Sequence, residues 1–129
     1  MTPRSLLLLL LGTLSAVAGC SHDTNEPTAG TLKVNLASPN SDDGAVLFTV
    51  SGGPVDSVGA VDHQVYSARL DANTLRVVVI GDLGSGTLAT IYIADSRLAP
   101  NYSATVNQAA SRLSYAQRDP ASYSLTLSP

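Results

Sequence analysis

The chain of 129 residues has one cysteine, one methionine, one phenylalanine and no tryptophan. Lysine occurs once, at Lys33, and glutamate once, at Glu26. No basic cluster exists, which argues against a nucleic-acid partner. Strong helix formers other than alanine and leucine are scarce, and Val, Thr, Ser, Gly and Asp are common instead. That composition favours strands and turns. A lone cysteine also denies the chain an internal disulfide.

What is present begins with a leader. Arg4 is the one charge in a short polar start, Leu6 to Leu11 is an unbroken leucine run, and small and apolar residues continue to Ala18. No acid appears before Asp23. A charged start, an apolar centre and a small-residue exit are the parts of a secretory signal peptide. The apolar stretch is shorter than the roughly 20 residues of a membrane span, which favours a cleaved leader over an uncleaved anchor.

The exit, Val17-Ala18-Gly19-Cys20, resembles the lipobox of bacterial lipoproteins: an aliphatic residue, two small residues, then cysteine. The resemblance covers the leader alone. It implies that Val17, Ala18 and Gly19 are read by the signal peptidase and that Cys20 sulfur receives a diacylglycerol. It further implies cleavage before Cys20 and acylation of the new amino group. One buried acyl chain holds a protein only marginally, at about 0.8 kcal/mol per CH₂, so three chains make a lasting anchor. Ser21 follows the cysteine where this family has aspartate for inner-membrane retention, which points to the outer membrane. Lipidation would use the only thiol, and the exported domain would then stand on packing alone, in a compartment that permits disulfides.

The expected organisation is a signal peptide at residues 1–19, a lipidated cysteine and tether at 20–30, and one domain at 31–129. Removing the +1 of Arg4 from the chain's −3 leaves −4, spread without clusters and typical of a soluble surface. The tether carries Pro27 and Gly30 and shows no apolar periodicity. Ten extended residues reach at most about 35 Å.

Beyond it the apolar residues alternate. Leu32, Val34 and Leu36 share one face, as do Val46, Phe48 and Val50 in the next segment, and each pattern predicts a half-buried strand. Pro39 to Gly44 is dense in turn formers. Val55 to Val61 predicts a weaker strand. Gln64 to Leu70 predicts another, whose inward side is ambiguous between Val65 and the Tyr66, Ala68, Leu70 set. Asp71 to Thr74 reads as a hairpin turn with Asn73 left-handed. Val77 to Ile80 is apolar at both parities and predicts a central strand. Thr87 to Ala94, Tyr102 to Val106 and Ser122 to Ser128 predict three more. Gln108 to Ala121 fits either a short helix or a ragged strand. About eight short strands, with no helix long enough for a parallel crossover, predict an all-β, antiparallel β-sandwich.

The order of these pieces resembles the cohesin-like domains of bacterial surface proteins, an Ig-like sandwich architecture. Thr31 to Leu36 looks like their first strand, Gly44 to Val50 like the strand before a break, and Gly84 to Ile93 like their glycine-led strand. The resemblance implies a non-catalytic binding module, often for another protein. No counterpart of a calcium-binding loop is present, and no partner-recognition residues carry over.

Candidate chemistry is sparse. Gly81 to Gly86 lacks the following helix and the lysine of a phosphate loop, and reads as a glycine-rich connection between strands. His63 follows Asp62, a pair that can orient an imidazole, and with Asp42 it is the basis of an alternative reading as a small envelope hydrolase. With no free cysteine and no second histidine at ligand spacing, the residue reads instead as an exposed, non-catalytic turn or strand end, the protein as no enzyme, and metal and cofactor as none. Asn40, Asp42 and Asp43 are too few oxygens for calcium and read as a solvated turn. A second alternative is sugar binding through exposed tyrosines. Tyr102 and Tyr123 lie on apolar faces and read as core. Tyr115, flanked by Arg112 and Arg118, is the candidate contact residue. The expected protein is an exported lipoprotein of the cell envelope, held in lipid by Cys20, whose domain binds another protein or is structural.

Overall fold

The computed structural model describes residues 25–129. The leader, with Val17, Ala18, Gly19 and Cys20, lies outside the described residues. The expected all-β architecture is present, as two antiparallel sheets packed face to face. Nine strands make it up. They are β1 (Gly30–Ala37), β2 (Asp43–Ser51), β3 (Ser57–Gly59), β4 (Gln64–Asp71), β5 (Thr74–Leu83), β6 (Gly86–Ile93), β7 (Ser103–Ser111), β8 (Gln117–Arg118) and β9 (Ser124–Ser128). One sheet has the order β3-β6-β1-β9, the other β4-β5-β2-β7-β8.

The core follows the two-residue period. Leu32, Val34 and Leu36 of β1 and Ile91 and Ile93 of β6 point from one sheet, and Val46, Phe48 and Val50 of β2 and Leu75, Val77 and Val79 of β5 meet them from the other. Successive side chains of a strand alternate between faces, so each run of alternate apolar residues fills one layer. Tyr102 and Tyr123 join this core, as expected, and each turns its hydroxyl to an acceptor.

Several local expectations change. The strand expected at Val55 to Val61 narrows to three residues, pinned beside β6 through Ser57, Val58 and Gly59. The segment 108–121 is neither a helix nor one ragged strand: β7 runs on to Ser111, a turn follows, and the two-residue β8 folds back onto Ala109 and Ala110. This is the ninth strand. Gly81 sits inside β5, which continues to Leu83, so the connection to β6 is only Gly84-Ser85. Asn73 keeps a negative φ; its N–H is held by the Asp71 carboxylate at 2.8 Å, an Asx turn in place of a left-handed one. β5 is central in pairing order, between β4 and β2, but its outer face is not covered by any described residue: Ile80 is 38% exposed.

Chain direction gives the sandwich two ends. Gly30, where the described strands begin, pairs with Ile93 near the 3-10 turn Ser96–Asn101. The opposite end gathers Ala37, Asp43, Leu83 and Ser111.

Candidate functional site

Two features stand out, one polar and one apolar. The polar one closes the end far from Gly30. Asp43 opens β2 and is fully buried, so the expected solvated turn at Asp42-Asp43 is corrected at its second residue. Its Oδ1 accepts from Arg118 Nη1 at 2.8 Å and from the Tyr123 hydroxyl at 2.7 Å. Its Oδ2 accepts from the Ser38 hydroxyl. Arg118 Nη2 reaches Asp42 at 2.8 Å, and Asn40 Nδ2 donates to Tyr123 Oη at 3.0 Å. A buried carboxylate needs this kind of full pairing, because an unpaired one is costly. Gly44 permits the close approach behind it: a Cβ there would fall 2.5 Å from Arg112 Cα, where Arg112 N–H bonds Asp42 carbonyl oxygen at 2.8 Å.

The cluster joins both sheets, since Ser38 follows β1, Tyr123 precedes β9, and Asp43 and Arg118 belong to β2 and β8. The two carboxylates beside Arg118, Asp42 first, hold its guanidinium charged well above the ordinary arginine value. Burial, then the bond to Asp43, pushes the Tyr123 hydroxyl above its ordinary 10.0. Burial does the same to Tyr102, whose hydroxyl donates to Pro54 carbonyl oxygen at 2.6 Å. A raised folded value means that the unfolded chain loses these protons first as pH rises. The two tyrosines therefore contribute stability that is complete below about pH 10 and lost as pH rises through their folded values. Urea midpoints measured from pH 8 to 12 should fall steeply above pH 10, and Tyr123→Phe should flatten that fall. An unchanged slope in Tyr123→Phe would remove Tyr123 as its source.

The sequence-predicted candidates differ in what they touch. Arg118 is held in the cluster. Arg112 pairs with Asp82. Tyr115 stands 72% exposed at the turn between β7 and β8, with φ of 54°, a left-handed conformation that bulky side chains rarely adopt. Arg112 and Arg118 are thus each engaged by carboxylates, and Tyr115 stands at the turn between them. The exposed tyrosines are dispersed, with Tyr66 on β4, Tyr92 on β6 and Tyr115 at the turn. A sugar platform needs its rings together.

His63 lies just ahead of β4, the turn or strand end expected, but is not fully exposed. It is half-buried against Gly81, where a Cβ would fall 2.9 Å from Nδ1, and that nitrogen has no hydrogen-bond partner among the described residues. Asp42, the third member of the hydrolase reading, is engaged by Arg118. No group of three His, Cys, Asp or Glu among the described residues is placed to hold a metal ion.

The apolar feature is the outer face of the five-stranded sheet. Leu47 of β2, Val78 and Ile80 of β5, Tyr66 and Ala68 of β4 and Ala110 of β7 lie on it, brought side by side by the pairs Leu47↔Val78 and Tyr66↔Val78. Two shallow grooves of about 310 and 230 Å³ cross it and share Leu47 and Val78. Arg76 is the charged residue within it. The outer face of the other sheet contrasts: Thr31, Lys33 and Asn35 lie beside Thr90, Tyr92, Thr126 and Ser128. Sequence reasoning did not single out this apolar surface. Its signal was present in the second-parity residues Leu47, Val78 and Ile80, and in the ambiguous β4 pattern.

No protein-family model, curated protein or solved structure matches this chain.

Proposed function

We propose that the protein is a lipid-anchored envelope lipoprotein whose β-sandwich is a non-catalytic module that binds another protein through the outer face of the five-stranded sheet. The observation that carries this reading is the contrast between the sandwich's two outer faces. One carries Thr, Asn, Ser and Lys with Tyr92 as its large exposed ring. The other sets exposed Tyr66 and Ile80 beside half-buried Leu47 and Val78 as an apolar strip, bordered by Gln64, Arg76 and Gln108. Such patches mark interaction sites more often than plain surface. The lipobox resemblance supplies the anchor at Cys20, and Ser21 favours the outer membrane. The cohesin-like order of strands fits a protein partner.

The anchor and the face are tested together. Acyl labelling and detergent partition should place the wild type in the detergent phase and Cys20→Ala in the aqueous phase. Equal labelling of both removes the anchor. A photo-crosslinker at Leu47 or Val78, activated in the native envelope, should capture protein, while one at Thr90 or Thr126 should not. Equal capture from both faces removes the binding surface.

A further inference from the structure

A sandwich of two open sheets has four edges, and this one treats them unequally. β3, β8 and β9 are three, two and five residues long. β4 is eight residues long, and all but Val65 of its side chains are exposed. An uncovered edge strand presents alternate unpaired N–H and C=O groups and is a template for another strand. Short edges limit that hazard where something else covers the next strand: β8 pairs only with Ala109 and Ala110, and the rest of β7 on that side has the 3-10 turn Pro120–Ser122 and β9 beside it. β4 is lightly guarded: it contains no proline and no lysine, its bulge, at Leu70, comes only at its end, and its one inward-side charge is Arg69, opposite Leu75. Its arginine does not project from the edge, because Arg69 Nη2 donates to Val55 carbonyl oxygen at 2.8 Å. Among the described residues, no backbone hydrogen bond outside the sheet ladders involves β4.

We propose that β4 pairs antiparallel with β4 of a second copy of this chain, joining two five-stranded sheets into one. Directly opposed residues of an antiparallel pair point to the same face. A two-fold pairing that keeps both cores on one side must therefore centre on a residue facing itself. Strand length leaves Ser67 or Ala68. Centring on Ala68 places Arg69 diagonal to the other Arg69, a like-charge contact. Centring on Ser67 sets Arg69 opposite Val65 and separates the two arginines. It also sets Tyr66 opposite Ala68, large against small, and brings the two Tyr66 rings into diagonal reach. The pairing then runs from Gln64 to Leu70 and stops at the bulge. The charge pattern favours a second copy: the chain is acidic overall, which opposes self-association, but β4 carries one arginine and one aspartate and is neutral.

The position of the chain's start agrees. A two-fold axis normal to the sheets reverses one copy, so the two Gly30 ends leave from opposite ends of the pair, both from the four-stranded layers. Thr28 and Asn25 carbonyl oxygens are held by Ser96 N–H and Arg97 Nη2, so only the chain ahead of Asn25 remains for reach, about 17 Å for five residues; the two starts can then meet one membrane with the four-stranded faces toward it. This orientation rests on the lipid-anchored reading; the strand pairing does not.

The test uses the full chain, purified in detergent with no partner present, so that failure of pairing is distinct from failure of partner binding. The wild type should sediment as a concentration-dependent dimer. Ala68→Glu, which faces Arg76 within the chain but sets two carboxylates diagonal to each other across the pairing, should weaken dimerisation at least tenfold while its thermal unfolding midpoint matches the wild type's at dilutions where both are monomeric. Under mild oxidation Ser67→Cys should form a disulfide-linked dimer at least tenfold faster than Ala68→Cys or Ser124→Cys, with the wild type as blank. A wild type that stays monomeric overturns the proposal. So does faster crosslinking of Ala68→Cys than of Ser67→Cys, or crosslinking of Ser67→Cys in the native envelope to a different protein only.

Discussion

Asp43→Ala is expected to cost about 3–5 kcal/mol of folding stability, the usual price of removing one partner from a buried ion pair. The carboxylate is fully buried, so none of its loss is returned by water. Removing it leaves Arg118 Nη1, the Tyr123 hydroxyl and the Ser38 hydroxyl without their shared acceptor. Asp42 still holds the other guanidinium nitrogen and sits at the surface, so Asp42→Ala should be the milder change. Asp43→Asn keeps the volume, and its amide can hold Oδ1 toward Arg118 and Tyr123 with Nδ2 donating to Ser38 Oγ; it loses the charge but not the bonds, and should cost less than Asp43→Ala. The double variant with Arg118→Met removes cation and anion together and should cost less than the two singles added, as coupled neighbours do. Urea midpoints at pH 7 measure all five, Arg118→Met alone included. A cost for Asp43→Ala under about 1 kcal/mol would mean that the cluster does not tie the sheets together.

Why this residue escaped sequence reasoning is a matter of distance along the chain. Asp43 meets Arg118 and Tyr123 across separations of 75 and 80 residues. Within its own neighbourhood, Pro39 to Gly44 has every mark of a solvated turn, and local propensity cannot register a cation that arrives from β8. The strands were legible for the opposite reason. Burial of one face imposes a period of two on the residues themselves, so Leu32-Val34-Leu36 and Val46-Phe48-Val50 announce their inward side. β4 fails that test because Tyr66 and Ala68 are apolar yet face outward, and Leu70 is exposed at the bulge, with Val65 turned in. The same ambiguity hid the apolar outer face: Val78 and Ile80 beside Val77 and Val79 read as a strand covered on both sides, and pattern alone cannot distinguish a covered face from one left open. The segment 108–121 was illegible because β8 is too short to carry any period; Ser111 fixes its turn by hydrogen bonds to Ser114 and Ala116.

The second large effect is expected at Phe48→Ala, and its neighbour supplies the control. Phe48 is the only phenylalanine, has no exposed surface, and lies on the inward side of β2 between Val77 of β5 and Val106 of β7. Truncating a buried phenylalanine removes its transfer free energy and leaves a void that close-packed neighbours fill only in part, at a cost of about 3–5 kcal/mol. Leu47 is one residue away on the same strand but points outward, beside Val78 and Gln108. Leu47→Ala opens no cavity, so its cost should stay within about 1 kcal/mol. If the outer face of the five-stranded sheet is the binding surface, the two variants must divide in the other direction as well. Leu47→Ala should lose partner capture in the native envelope while unfolding close to the wild type. Phe48→Ala should lower the thermal midpoint by roughly 4–8 °C for each kcal/mol lost, and should still bind below that midpoint. Two adjacent residues would then report separately on what holds the sheet and on what the sheet presents. Loss of both stability and capture in Leu47→Ala would show instead that the outer face is part of the fold's own packing.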